Sequence, residues 1–293
     1  TLPDLENEDE ALAPASFVHV RRPRLVHPVH ISLDSGSYET DAPRAVLCPD
    51  ATVVGGNDGV ITGDGTWLDL GLKGFDPEKM QLKENGGTVA ISDEKDRLLL
   101  RRHAHSTRLS SGILASGTYS HNYYHFLMEI LPRAMSAHLI APPEVPILAD
   151  DHMPEQHFQV LRTFFPQRSI RRVTRGFSYE VEDLYLGNMA NVVHDVVDAD
   201  KAPVDAVRYH PDILRWLNWN SESYRTDETP RRLYFKRESG VRRLLNAAQI
   251  EQEMVARGFQ IVRCDQLSFS EQVRLAANAE VIVGQSGAHL ANI

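Results

Sequence analysis

Three groups of residues in this chain have types and spacings suited to chemistry. The first is Gly117-Thr-Tyr-Ser-His-Asn122-Tyr-Tyr-His125-Phe-Leu-Met-Glu129-Ile-Leu-Pro132-Arg133. At roughly 100° per residue, Asn122, His125, Glu129 and Arg133 fall on one helical stripe, with Tyr124, Leu127, Met128 and Leu131 opposite. His125 and Glu129 are an i,i+4 pair, so the carboxylate can accept an imidazole N–H, fix the tautomer and raise the basicity of the other ring nitrogen. That arrangement suits a general base, and the competing reading at equal weight is a stripe facing solvent. Pro132 must kink the helix or end it nearby.

The second group is basic: Arg231, Arg232, Lys236, Arg237, Arg242 and Arg243, opposed only by Glu238. Arg237 follows an apolar strand pattern and so falls at the edge where open α/β sheets bind ligands. Guanidinium groups there offer bidentate bonds to a diphosphate and can stabilise charge on a departing phosphate. A solvated basic loop fits the same cluster equally well. The third group is Val281-Ile-Val-Gly284-Gln-Ser286-Gly287-Ala288-His-Leu-Ala-Asn292, a strand running into a glycine turn and then a helix. Backbone N–H groups at such a turn can cradle phosphate, although the spacing is not GxGxxG and the chain has no P-loop.

Metal patterns are weaker. Asp150-Asp151-His152 and the DxD of Asp198-Ala199-Asp200 read as loops in preference to cation ligands. His27-Pro-Val-His30 reads as structural or exposed, and neither HExxH nor Gly-x-Ser-x-Gly occurs.

These groups need elements to hold them. From about Val18 to Leu100 the chain reads as short strands separated by turns, among them Ala45–Leu47, Thr52–Val54 and Thr88–Ile91, with Gly55–Gly59 and Asn85–Gly87 between them. After Gly117 apolar runs alternate with helical periods: a strand at Val145–Leu148, a helix near Pro154–Phe165 and a strand at Ile170–Val173. An amphipathic stretch, His210–Tyr224, precedes a polar linker, Arg225–Pro230. Then come strand Leu233–Phe235, helix Asn246–Arg257, strand Phe259–Val262, helix Ser268–Asn278 and strand Val281–Val283. Asn246 with Gln249 and Ser268 with Glu271 each predict a capping box. No internal repeat is present.

Composition sets the outer bounds. The 293 residues are 42% hydrophobic and 24% charged, ordinary for a folded chain of one large domain or two ordinary ones. Lys and Arg number 31 against 40 Asp and Glu, a net charge of -9, which disfavours a general nucleic-acid binder. No run is apolar enough to span a bilayer, and Thr1–Ala15 has no signal-peptide pattern, so a cytoplasmic setting is expected. Two distant cysteines, Cys48 and Cys264, indicate neither a disulfide framework nor a cysteine zinc site. The arginines at 162, 168, 171, 172 and 175 read as a solvated face in preference to one touching anionic lipid or glycan, which would make the chain peripheral to a membrane. The chain stops just after a strand and a turn, where a doubly wound domain would continue, so a C-terminally shortened polypeptide is expected.

In this order the pieces resemble glycosyltransferase family 61, and in particular its bacterial capsule and exopolysaccharide members. The matching stretches are Asn122–Arg133, Leu233–Arg237 with Arg242–Asn246, Gly258–Phe259 with Leu267–Gln272, and Val281–Asn292, so the resemblance runs from about Gly117 onward. It implies a GT-B fold: an acceptor-side domain over 1–224, with a β-rich leader to about 110, and a nucleotide-sugar-binding Rossmann-like domain over 225–293. It implies inverting transfer from a nucleotide-sugar, UDP-linked, to a glycan or lipid-linked glycan acceptor, with neither cofactor nor metal required. His125, Glu129 and Asn122 are then the catalytic candidates, and Arg237, Arg243, Gly284, Ser286, Gly287, Ala288 and Asn292 the donor-binding ones. In that family the last motif usually reads Gly-x-His-Gly-Ala, whereas Ser286 stands at the histidine position here and a histidine stands at 289. That departure keeps two other readings open: a pyruvyl-type polysaccharide transferase, and a non-catalytic sugar-binding or scaffold member of a polysaccharide assembly complex.

Overall fold

The computed structural model describes residues 16–20, 36–69, 89–91, 98–100, 106–193, 207–219, 221–226, 230–237 and 244–292. Among them is a mixed α/β arrangement of one seven-stranded sheet and one three-stranded parallel sheet, with three two-stranded pairings beside them.

The large sheet contains β1 (Ala45–Val54), β2 (Gly59–Ile61), β3 (Trp67–Asp69), β4 (Ser106–Ala115), β5 (Ile147–Asp150), β6 (Ile170–Val173) and β7 (Ser178–Gly187). Their spatial order is β6-β5-β4-β7-β1-β2-β3. The four strands from β6 to β7 are parallel, and the β7-β1-β2-β3 pairings are antiparallel. The two runs Ala45–Leu47 and Thr52–Val54 are therefore one strand, and the leader supplies the antiparallel side of the same sheet that the later β-α units extend. The turn at Asn85–Gly87 lies outside the described residues.

One row of this sheet explains why a ten-residue strand reads as two. β7 pairs Val181 with Ala51 and Asp183 with Pro49 on one side, and with Leu109 and Ser111 on the other, so Glu182 aligns with Asp50 and Ser110. Asp50 is left-handed at φ 49, a conformation aspartate tolerates better than most residues. Across the row the buried parity switches: Val46 and Cys48 give way to Ala51 and Val53, as Tyr179 and Val181 do to Leu184 and Leu186. All eight belong to one apolar cluster, so both strands switch the parity of their inward residues at this row while facing the same core.

The other face is covered by helices. The helix α1 starts as an α-helix at Tyr123–His125, passes through a π-helical segment at Phe126–Ile130 and resumes as an α-helix over Leu131–Ile140. It and α2 (Glu155–Phe164) bury Phe126, Ile130, Leu131, Ala134, Phe158 and Leu161 against Ile113, Ala115, Ile147 and Ala149 of the sheet. Trp216 and Leu217 of α3 (Pro211–Trp219) pack on the same cluster.

The small sheet is β8 (Arg232–Lys236) flanked by β9 (Gln260–Arg263) and β10 (Val281–Gly284), all parallel. The helices α4 (Ala247–Ala256) and α5 (Phe269–Asn278) connect them, and the first strand is central, the second-first-third order with which one of the two common doubly wound sheets begins. Ser268 and Glu271 form the predicted capping box, whereas Asn246 makes no side-chain cap. Asn246 sits at φ -109, ψ 30, outside the extended region from which a cap side chain reaches back to the first turn. The two sheets meet through α2 and α5: Phe269 N donates to Gln159 Oε1 at 3.0 Å, and the Phe164 ring lies 4.6 Å from Trp216 and 6.3 Å from Phe269.

Candidate active site

The stripe on α1 is buried. His125, Glu129 and Arg133 are 7%, 8% and 2% exposed, which excludes the solvent-facing alternative. His125 Nδ1 lies 2.6 Å from Glu129 Oε2. A carboxylate can only accept, so Nδ1 carries the proton and donates, leaving Nε2 with its lone pair in the neutral ring. Tyr119 stacks on the imidazole at 4.8 Å and 26°, and Tyr124 meets it edge-on at 5.8 Å.

Local sequence dictates how this helix is built. Asn122 is its N-cap: Oδ1 accepts from Tyr124 N at 3.0 Å, and its carbonyl accepts from Phe126 N at 2.8 Å. Pro132 does not end the helix. It has no N–H for the Met128 carbonyl, and Asn191 Nδ2 supplies one from outside at 2.8 Å. One residue earlier, Leu131 N bonds the Phe126 carbonyl, a π-type link, so the helix is widened where His125 and Glu129 face each other. Asn191, 1% exposed, also accepts from His210 N at 2.7 Å, which anchors the helix to the segment before α3.

The loop before α1 is fixed by two buried groups. Asp150, at the end of β5, accepts from Gly56 N at 2.8 Å, Ser116 Oγ at 2.6 Å and Gly117 N at 3.0 Å. Burial pushes its carboxyl above the usual range, and the bonds from Ser116, Ser120 and Gly117 oppose that rise. His157, 2% exposed, donates from Nδ1 to the Ser120 carbonyl at 2.9 Å and stacks on Phe126 at 4.4 Å and 10°. Desolvation brings its pKa down to about 4, so it is a neutral strut. Asp150 therefore spends its oxygens on the loops, and among the described residues no group of three or more His, Cys, Asp or Glu is placed to hold a metal. His27, His30, Asp198 and Asp200 lie outside the described residues.

Arg133 ends the stripe. Its Nη2 donates to the Ser116 carbonyl at 3.0 Å and stands 3.4 Å from Asp58 Oδ1, while Asp58 Oδ2 accepts from Thr118 N at 3.1 Å. A Cβ on Gly117 would lie 2.4 Å from Asp58 Oδ1 and 3.1 Å from Arg133 Nη2, so a larger residue there would push this pair aside.

On the small sheet, Arg237 follows β8 and its Nη1 donates to the Ser286 carbonyl in the turn after β10. A Cβ on Gly287 would lie 3.0 Å from Arg237 Nη1 and 2.8 Å from His289 Cε1, and one on Gly284 would lie 3.0 Å from Leu290 Cδ2. Both glycines thus permit close approach by neighbours at ordinary φ. Burial and the Arg237 charge hold the His289 imidazole below its usual pKa. The segment Ala288–Asn292 is a short 3₁₀ turn, tighter than the α-helix expected after the glycines. Arg242 and Arg243 lie outside the described residues.

The two groups are physically joined. Tyr123 Oη donates to Asn292 Oδ1 at 2.6 Å, and Asn292 Nδ2 donates to Gln272 Oε1 at 2.9 Å. The turn that follows Ser286 and Gly287 therefore rests on the turn of α1 that carries His125. Of the donor-side residues named from sequence, Arg237, Gly284, Ser286, Gly287, Ala288 and Asn292 share this corner, with Asn292 acting as the tie. The basic stretch 162–175 divides in three. Arg162 and Arg172 pair with Glu155, Arg168 is buried, and Arg171 and Arg175 are exposed. Arg168 is not on a solvated face, because its guanidinium donates to the carbonyls of His138, Ala141, Pro142 and Val145 and so caps the end of α1. Sequence reasoning also missed Tyr123, His157 and Asn191, whose partners are 169, 37 and 63 positions away.

No described helix is long and apolar enough to cross a membrane. A comparison with protein-family models matches residues 123–293 to the family described as Glycosyltransferase 61. A comparison with curated proteins finds no significant match.

Proposed function

The chain belongs to glycosyltransferase family 61 and is a glycosyltransferase, and from that premise we propose that it transfers a sugar, with inversion, from a UDP-linked donor to a glycan acceptor in surface polysaccharide synthesis. In this reading His125 Nε2 takes the proton of the acceptor hydroxyl. Glu129 holds the ring by Nδ1 and stabilises the imidazolium that forms. Arg237, with the Ser286–Gly287 turn, receives the diphosphate and stabilises the charge that develops as it leaves. The protein's own cation replaces a metal in that role, and the two sheets are the two halves of a GT-B arrangement.

The single observation that carries the proposal is the Tyr123 to Asn292 hydrogen bond, because it sets a candidate base and a candidate phosphate clamp on opposite sides of one contact. Asn122 enters as the cap that starts the helix, with no direct contact to the reaction required.

Calorimetric titration with UDP, with and without Mn²⁺, tests the donor half. Micromolar, metal-independent binding that Arg237→Ala abolishes is the expected result. Binding that requires Mn²⁺, or that survives Arg237→Ala, overturns the assignment.

A further inference from the structure

The proposed transfer leaves unused a second set of side chains at the edge of the large sheet. His121, His152 and Arg175 come from the loops after β4, β5 and β6, the side on which parallel sheets receive ligands. The His121 and His152 rings are 6.0 Å apart, and His152 Nε2 lies 3.4 Å from Ser120 Oγ. His152 Nδ1 is buried without a hydrogen-bond partner, with Asp151 Oδ1 at 3.8 Å. Arg175 lays its stem over Gly56, where an added Cβ would come within 2.9 Å of Cγ, and Gly56 is held by Asp150. The electrostatic neighbours of His121 are His152, Arg175, His125 and the buried Asp150, so the set adjoins the candidate base.

The carboxylates at this edge are already engaged. Asp150 takes three protein donors, Asp58 takes Thr118 N and faces Arg133, and Glu129 is bonded to His125. Asp151 faces His152. Arg175 is exposed and has no ion pair among the described residues. On a chain of net charge -9, the unmatched charge beside His125 is thus positive.

We propose that His121, His152 and Arg175 bind an oxyanion carried by the acceptor, a uronic-acid carboxylate or a sugar phosphate, so that the acceptor is an anionic glycan. The inference rests on His125 marking the acceptor side. An exposed guanidinium offers two parallel N–H donors to such a group, and the imidazoles supply further N–H donors. A neutral sugar gives Arg175 no charge to neutralise.

The test is calorimetric titration of the full chain, saturated with UDP, with a glucuronic acid tetrasaccharide, glucose 6-phosphate and cellotetraose. At least one anionic probe binds about tenfold more tightly than cellotetraose, and Arg175→Gln removes about that factor, the size of one charge-assisted bond. Which anion binds separates carboxylate from phosphate. Equal binding of all three, no binding of either anion, or an unchanged Arg175→Gln variant overturns the inference. UDP affinity is read in the same samples: no UDP binding by the wild type counts against the proposed UDP donor site, whereas intact UDP binding without anion preference removes only the acceptor assignment.

Discussion

The hydroxyl of Tyr123 donates to Oδ1 of Asn292 at 2.6 Å across 169 positions of sequence, joining the helix of His125 to the turn beside Arg237. Burial raises the Tyr123 phenol far above its usual pKa, so the bond is made by a neutral hydroxyl at every working pH. Tyr123→Phe leaves Asn292 Oδ1 without this donor and should cost about 1–2 kcal/mol of stability. Tyr123→Phe and Asn292→Ala should be strongly non-additive in thermal denaturation, since each removes the same bond. Additive effects would show that the contact is not energetically coupled.

Turnover should depend on the two members of the α1 pair unequally. His125→Ala should lower kcat by about 10²–10⁴, the usual contribution of a general base. Glu129→Gln keeps an acceptor for Nδ1–H but loses the charge opposite the imidazolium, so its loss should be smaller. The acidic limb of its pH-rate profile should also shift to lower pH. Steady-state kinetics over pH 5 to 9 separates the two.

Acidification should weaken the fold through His157. Its folded pKa of about 4 lies below the ordinary value of 6.5, so the unfolded chain binds the proton more readily between those values. The His157 contribution is complete above about pH 6.5, falls as pH drops, and is lost by about pH 4, for a total on the order of 3 kcal/mol. His157→Phe should keep the stacking on Phe126, lose the bond to Ser120, and flatten the dependence of Tm on pH across that window.

Glycine substitutions should divide by what they touch. A Cβ on Gly187 would lie 2.2 Å from the Arg133 carbonyl oxygen, a backbone clash, so Gly187→Ala should unfold the protein or lower Tm severely. At Gly287 the neighbours are ends of side chains, Arg237 and His289, which can move. Gly287→Ala should therefore fold and weaken UDP binding. Gly258, at φ 78 with open space around it, should tolerate Asn with little change.

What could be read in advance follows the range of the interactions. The helices and strands after Gly117, the capping box at Ser268 and the His125 to Glu129 pair depend on neighbours within four positions, and each appears in the structure. The cap at Asn246 has the right residue types but the wrong backbone angles. The π-helical widening at Phe126–Ile130 depends on Asn191 completing the Met128 carbonyl, and no local pattern announces it. In sequence Arg168 reads as one more surface cation, because the carbonyls it binds lie 23 to 30 positions away. Likewise, the switch of buried parity at Asp50 and Glu182 becomes visible only once the strands are aligned, so in sequence β1 reads as two strands.

In the proposed reaction one corner holds a base on α1 and a phosphate clamp on the small sheet, joined but separable. The direct test is to measure UDP affinity and sugar transfer from a UDP-sugar in the same preparations of wild type, His125→Ala and Arg237→Ala. His125→Ala should bind UDP within about twofold of wild type yet turn over at least about a hundredfold more slowly, while Arg237→Ala should lose UDP binding. A His125→Ala variant with wild-type turnover, or an Arg237→Ala variant with wild-type UDP affinity, would contradict it.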